Sequence, residues 1–158
     1  MDYAQAAALN GGVRLLSLRH RSRAAALLAP LGLHPGQEVL LLELDRSGPM
    51  ISAALSEALG VEPPSITLMT RKLEAAGQLR RTPVPGDNRA SVVELTDRGR
   101  ALTQEIKQLW IALAQETVAG LPPDTVAGLP ALLSVLAGNV DTRTPPPPRT
   151  GARAARRR

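Results

Sequence analysis

A mainly helical fold carrying one small β-hairpin is what this sequence predicts, and three observations predict it. Apolar residues recur at helical spacing through most of the chain. Two short helical patterns, split at Gly60-Val61, stand ahead of two strand-like runs. Those runs flank the tight charged segment Pro85-Gly86-Asp87-Asn88-Arg89. A helix pair followed by a basic hairpin is the order of a winged helix-turn-helix, which sets one helix in a major groove of DNA and one loop beside the minor groove.

The elements follow in order. From about Ala4 to Leu31 an Ala-rich helix is expected, with Val13, Leu16, Leu27 and Leu28 as apolar anchors and Gly11-Gly12 as its weak spot. Gly32 to Pro35 breaks the pattern, and Pro35 suits the first turn of a second helix. That helix runs through Val39-Leu40-Leu41-Leu42-Glu43-Leu44, apolar almost all round, and ends at Ser47-Gly48-Pro49. A third helix carries Ile51, Leu55 and Leu59 at intervals of four, with Ala54 and Ala58 beside them for close approach, and stops at Gly60. A fourth starts at Glu62-Pro63-Pro64 with Pro64 in its first position. Its buried stripe is Ile66, Met69, Leu73 and Ala76, and Gly77 ends it.

Leu79–Val84 and Ala90–Leu95 pair as the hairpin, with Pro83 facing an unpaired edge. Thr96 caps the next helix, whose Leu102, Ile106, Leu109 and Leu113 recur almost as a heptad and which reaches Ala119. Gly120 to Asp124 is a turn and cap. The last helical region, Val126 to Val140, meets Gly128 and Pro130, so it is either kinked or begins at Pro130. The domain reading is therefore one body over 1–140, with a DNA-binding lobe over about 34–100 and outer helices over about 4–31 and 97–140. A disordered Pro/Arg-rich tail, 141–158, contains Pro145-Pro146-Pro147-Pro148 and too little apolar content to pack.

Composition narrows the function. A chain of 158 residues buries one ordinary core. It has no cysteine, which excludes disulfides and Cys-based zinc sites. Met1-Asp2-Tyr3-Ala4-Gln5 lacks the order of a signal peptide. No apolar run approaches the roughly 20 residues that span a bilayer. A soluble, cytoplasmic protein is expected. The net charge of +5 belongs to the tail, since six of nineteen basic residues and one of fourteen acidic residues follow position 140. Residues 1–140 are neutral overall, so any basic surface there depends on where its charges sit. No Gly-rich phosphate loop, nucleophile motif or acid pair suggests an enzyme. No spacing suggests a metal site, and no cofactor is expected.

At Leu33-His34-Pro35-Gly36-Gln37, Leu73-Glu74-x-x-Gly77, Gly86-Asp87-x-Arg89 and Leu95-Thr96-x-x-Gly99 the chain resembles the MarR family of bacterial transcription regulators. Each motif is weak alone; their order and spacing over roughly residues 10–140 are specific. The resemblance implies a winged-helix homodimer joined by its N- and C-terminal helices. It also implies a pseudo-palindromic double-stranded DNA operator, usually repressed and released by a small-molecule effector. Alternatives are a DNA-binding regulator without such a switch, and a helical dimerisation adaptor that has lost DNA binding.

Carried over by position, Pro64–Ala76 is the recognition helix and Ser65, Thr67 and Leu68 face the bases, where many relatives have Arg in place of Leu68. By helical geometry, Pro64, Thr67, Leu68 and Arg71 lie opposite the buried stripe, flanked by Ser65. Leu68 is either a surface leucine or an apolar contact to a thymine methyl. The resemblance makes Arg89 the wing-tip arginine of the minor groove and Asp87 the acid that orients it; Asp87-Asn88 also reads simply as a turn. A narrow A·T-rich groove concentrates negative potential that guanidinium exploits. Arg71, Lys72, Arg80, Arg81 and Ser52 are candidate phosphate contacts, or else solubilising surface groups. Arg14, Arg19, Arg21 and Arg23 form either a solvated face, a phosphate-facing patch or one wall of an anion pocket. Trp110 reads as dimer or helix-packing core or as a stacking platform, and His34 as a capping or surface residue in preference to a metal ligand. No pattern in the sequence marks an effector pocket.

Overall fold

The structure, a computed structural model, describes residues 1–84 and 86–141. It forms two compact units, Met1–Thr117 and a second that begins at Val118. In the first, α1 (Tyr3–Leu28) runs into a 3-10 turn over Ala29–Leu31. Then come α2 (Gln37–Ser47), β1 (Met50–Ile51), α3 (Ser52–Leu59), α4 (Pro63–Ala75), β2 (Leu79–Val84), β3 (Asp87–Leu95) and α5 (Asp97–Thr117). The second unit holds α6 (Pro123–Asn139).

Local chemistry sets these boundaries. Asp2 starts α1 as a capping box: its carboxylate accepts from the Gln5 backbone N–H at 2.8 Å, and the Gln5 amide oxygen accepts from the Asp2 N–H at 3.0 Å. Gly11-Gly12 does not interrupt the helix. The second helix starts at Gln37, not in the Pro35 turn as expected, because Gly36 holds φ +102° and cannot be helical. Gln37 and Glu38 reach back to the entry turn, accepting from the His34 and Gly36 N–H groups at 2.8 and 2.7 Å.

Ile51 is not part of a helix, as its four-residue spacing suggested. With Met50 it forms a third strand on the hairpin, in antiparallel order β1-β3-β2. Two residues are too few to show a strand period. The helix after it starts at Ser52, and Gly60 ends it in the left-handed region. Ala58 of that helix is exposed. Pro63 and Pro64 both sit in the first turn of α4, one residue earlier than expected. Its end is a Schellman closure: the Gly77 N–H bonds the Glu74 carbonyl and the Gln78 N–H the Leu73 carbonyl, both at 2.9 Å.

In the hairpin β3 begins at Asp87, three residues earlier than expected, and the register shifts at Pro83/Val84. β2 is an edge strand, as Pro83 required. Thr96 caps α5: its Oγ1 accepts from the Gly99 N–H at 3.1 Å and donates to the Gly77 carbonyl at 2.7 Å. α5 ends at Thr117, short of Ala119. α6 starts at Pro123 and passes through Gly128 and Pro130 as one helix, so it does not begin at Pro130.

One apolar cluster joins Leu40, Leu41 and Leu44 of α2, Leu55 of α3, Ile66 and Leu73 of α4, Val93 and Leu95 of β3, and Leu102 and Ile106 of α5. Burying each such side chain contributes roughly 1.5–3 kcal/mol. That is enough to fix the rotation of α4 about its axis. A polar seam fastens α2 to α5: the Asp45 carboxylate takes the Lys107 ammonium at 2.7 Å and the Thr103 hydroxyl at 3.2 Å. Lys107 and that hydroxyl hold the Asp45 carboxyl below its usual range. No helix among the described residues is long and apolar enough to cross a membrane.

Candidate nucleic-acid interface

α4 turns Ile66, Thr70 and Leu73 inward, and this alone decides what it presents outward. Thr70 was absent from the expected stripe because it is polar. Its Oγ1 donates to the Ile66 carbonyl at 2.9 Å, so the hydroxyl is satisfied within its own helix and can be buried. Ala76, expected in that stripe, is instead the exposed C-cap. On the outer face Pro64, Ser65, Thr67, Leu68, Arg71 and Lys72 are all exposed. Leu68 is 56% exposed on that face. Thr67 Oγ1 donates to the Pro63 carbonyl at 3.0 Å, which leaves its oxygen free to accept. Among the described residues neither Arg71 nor Lys72 has an ion-pair partner.

The face continues onto the sheet. Ser52, at the start of α3, lies 3.1 Å from Ser91 of β3, hydroxyl to hydroxyl. Ser52, Thr67, Arg71 and Arg81 line one groove of about 380 Å3, together with Thr70, Glu74, Pro83, Ala90 and Ser91. Four of the sequence-nominated residues thus come together. Glu74 and Ser91 were missed, since nothing in sequence ties them to positions so distant along the chain. Arg81, a candidate phosphate contact, is ion-paired within the chain. Its Nε donates to Glu74 Oε2 at 2.7 Å, and its Nη2 makes an ion-pair contact with the same oxygen at 2.5 Å. Arg80, directly opposite Glu94 across the hairpin, is likewise paired at 2.8 Å.

Asp87 and Arg89 begin β3, next to Gly86 at φ +83°. Their side chains, and all of Pro85, lie outside the described residues, as does the Arg-rich tail from Thr142 on.

A second groove, of about 440 Å3, opens between α1, the start of α2 and α5. His20, Arg21, Ala24, Pro35, Glu38, Val39, Trp110, Leu113 and Ala114 line it. Trp110 is not buried within the chain; it is 47% exposed on this wall. Burial pushes the Glu38 carboxyl up, opposed by the backbone N–H groups of Glu38, Gly36 and Val39. Of the α1 arginines, Arg23 is engaged by Glu116 through two 2.7 Å hydrogen bonds. His34 is exposed, and no group of three His, Asp or Glu among the described residues could hold a metal.

Comparison with known proteins places this geometry. The model of the MarR family matches residues 33–91. The HTH-type transcriptional repressor Rv2887 of Mycobacterium tuberculosis is 34% identical over 101 residues, which is 64% of this chain and 73% of that protein. The multiple antibiotic resistance protein MarR of Escherichia coli is 32% identical over 107 residues, 67% of this chain and 74% of that one. A cysteine-to-serine variant of E. coli MarR complexed with operator DNA superposes with a TM-score of 0.74 at 26% identity. That match covers 86% of this chain and 99% of the other. BpsR of Bordetella bronchiseptica shares the fold at a TM-score of 0.75 and 24% identity, over 82% of this chain and 98% of that one.

Proposed function

Because the chain belongs to the MarR family of transcriptional regulators, we propose that it is a homodimeric repressor that occupies a pseudo-palindromic operator. The observation that carries this is the outward row of α4, continuous with a groove that gathers Ser52, Thr67, Arg71 and Arg81. In this reading Ser65, Thr67 and Leu68 meet base edges, and Arg71, Lys72, Arg81 and Ser52 meet phosphates. Arg89 enters the minor groove beside α4, oriented by Asp87. E. coli MarR has been seen bound to operator DNA with this same fold, which supports the docking mode.

A second copy is supported by apolar surface that a lone chain leaves in water. On α1, Leu9, Val13, Leu15, Leu16 and Leu18 are each more than two-fifths exposed. On α6, Leu132, Leu133, Val135 and Leu136 are exposed as well. A dimer with two-fold symmetry would set its recognition helices about 34–36 Å apart, matching successive major grooves on one side of B-DNA.

The groove walled by Trp110, Glu38 and His20 is the proposed effector site. It touches the outer helices α1 and α5 and the first helix of the DNA lobe, so a ligand there can favour one spacing of the lobes over another. The DNA binding of BpsR, which shares this fold, is regulated by 6-hydroxynicotinic acid. Coupling of about 1–3 kcal/mol would release DNA by roughly 5–150-fold.

Arg89→Ala tests the DNA reading. The variant should bind a duplex from upstream of its own gene at least ten-fold more weakly, with dimerisation and melting unchanged. Unaltered DNA affinity would remove the wing from the interface.

A further inference from the structure

Glu74 is the only carboxylate among the described residues of the α4–sheet groove. Around it stand two guanidinium groups, Arg71 and Arg81, and the paired hydroxyls of Ser52 and Ser91. These donors suit an oxyanion, and the oxyanion now present is the protein's own. The Arg81 Nε donates to Glu74 Oε2 at 2.7 Å and its Nη2 lies 2.5 Å from the same oxygen, a charge-assisted contact of the kind a guanidinium also makes with phosphate. The two side chains are 28% and 34% exposed, open enough to water for the pair to exchange partners at little cost.

We propose that Glu74 holds the place of a DNA backbone phosphate on Arg81, and that a phosphate displaces it when the protein docks. This rests on the reading of the chain as a DNA-binding protein. In the free protein the pair is neutral, so Arg81 adds nothing to long-range attraction for DNA. In the complex Arg81 turns to the phosphate, and the released carboxylate stays beside that phosphate and repels it. The restraint acts on every duplex alike. It lowers sequence-independent affinity and leaves a larger share of binding to the base-facing residues of α4, which raises the specificity ratio.

The test uses the full chain and a labelled mixed-sequence duplex of about 30 base pairs, with fluorescence anisotropy across a KCl series. Glu74→Gln keeps the side chain's shape and removes its charge. It should bind the duplex about five-fold tighter at equal salt, the effect of one nearby unit charge in water. Its slope of log K against log [KCl] should steepen by about 0.9, one further effective phosphate. Arg81→Ala should bind more weakly, with a slope shallower by a similar amount. Glu74→Ala should follow Glu74→Gln, which guards against a packing fault in either. An unchanged slope in Arg81→Ala, or equal or weaker binding in both Glu74 variants, overturns the exchange and leaves the pair as a brace between α4 and β2. A wild-type chain that binds no duplex even near 50 mM KCl overturns the DNA-binding reading along with it.

Discussion

The backbone carbonyl oxygen of Gln78 stands 2.1 Å from the point that a Cβ on Gly99 would occupy. No side chain fits there, and so the first turn of α5 can press against the chain leaving the recognition helix. Two hydrogen bonds lock the same joint: Thr96 Oγ1 to the Gly77 carbonyl at 2.7 Å, and the Thr96 N–H to the Gln78 carbonyl at 3.1 Å. The Leu95-Thr96-x-x-Gly99 motif is thus the clasp between α5 and the end of α4.

Gly99→Ala should force that clasp open. The obstruction is backbone, which cannot rotate aside, so a loss of about 1–3 kcal/mol is expected, as for overpacking elsewhere. Thr96→Val removes a helix cap and leaves the Gly77 carbonyl without its hydroxyl, for about 1–2 kcal/mol. Urea denaturation of both variants measures this. A Gly99→Ala midpoint equal to wild type would show that the joint yields freely.

The Asp45 seam makes a pH prediction. Its carboxyl is held below the ordinary value of 3.8, so it protonates less readily folded than unfolded. Its contribution is therefore fully present above that ordinary value and lost as pH falls through the folded one. Asp45→Asn should be less stable than wild type by roughly 0.5–1 kcal/mol between about pH 5 and 8, a figure reduced for partial exposure. The gap should narrow only below about pH 4 and close once the pH has passed the folded value. Chemical denaturation at a series of pH values reads it directly, and a gap that widened in acid would contradict the assignment.

Leu68 separates a surface leucine from a thymine reader. Should it pack on a thymine methyl, replacing that thymine by uracil in the bound duplex should weaken wild-type binding by on the order of 1 kcal/mol. The Leu68→Ala variant should be insensitive to the same replacement. Equal sensitivity in both proteins would leave Leu68 as a bystander.

Much of this was legible in the sequence, and the exceptions share physical causes. Long periodic segments announced themselves: Leu102, Ile106 and Leu113 are all buried in α5 where their spacing put them. Glycine stops were equally clear, as at Gly60 and Gly77, both with positive φ. The two-residue strand at Met50-Ile51 was not, because its existence depends on β3, some forty positions later. Thr70 was hidden by a hydroxyl that the helix itself satisfies. At the candidate interface the exposed row on α4 followed from helical geometry alone. The Glu74–Arg81 pair did not, since a salt bridge between a helix and a strand leaves no local pattern.

Footprinting of the purified protein on the DNA upstream of its own gene is the decisive measurement. Two protected half-sites are expected on one face of the duplex, their centres separated by one helical turn of about 10–10.5 base pairs. A single protected half-site, or no protection at low salt, would contradict the dimeric docking.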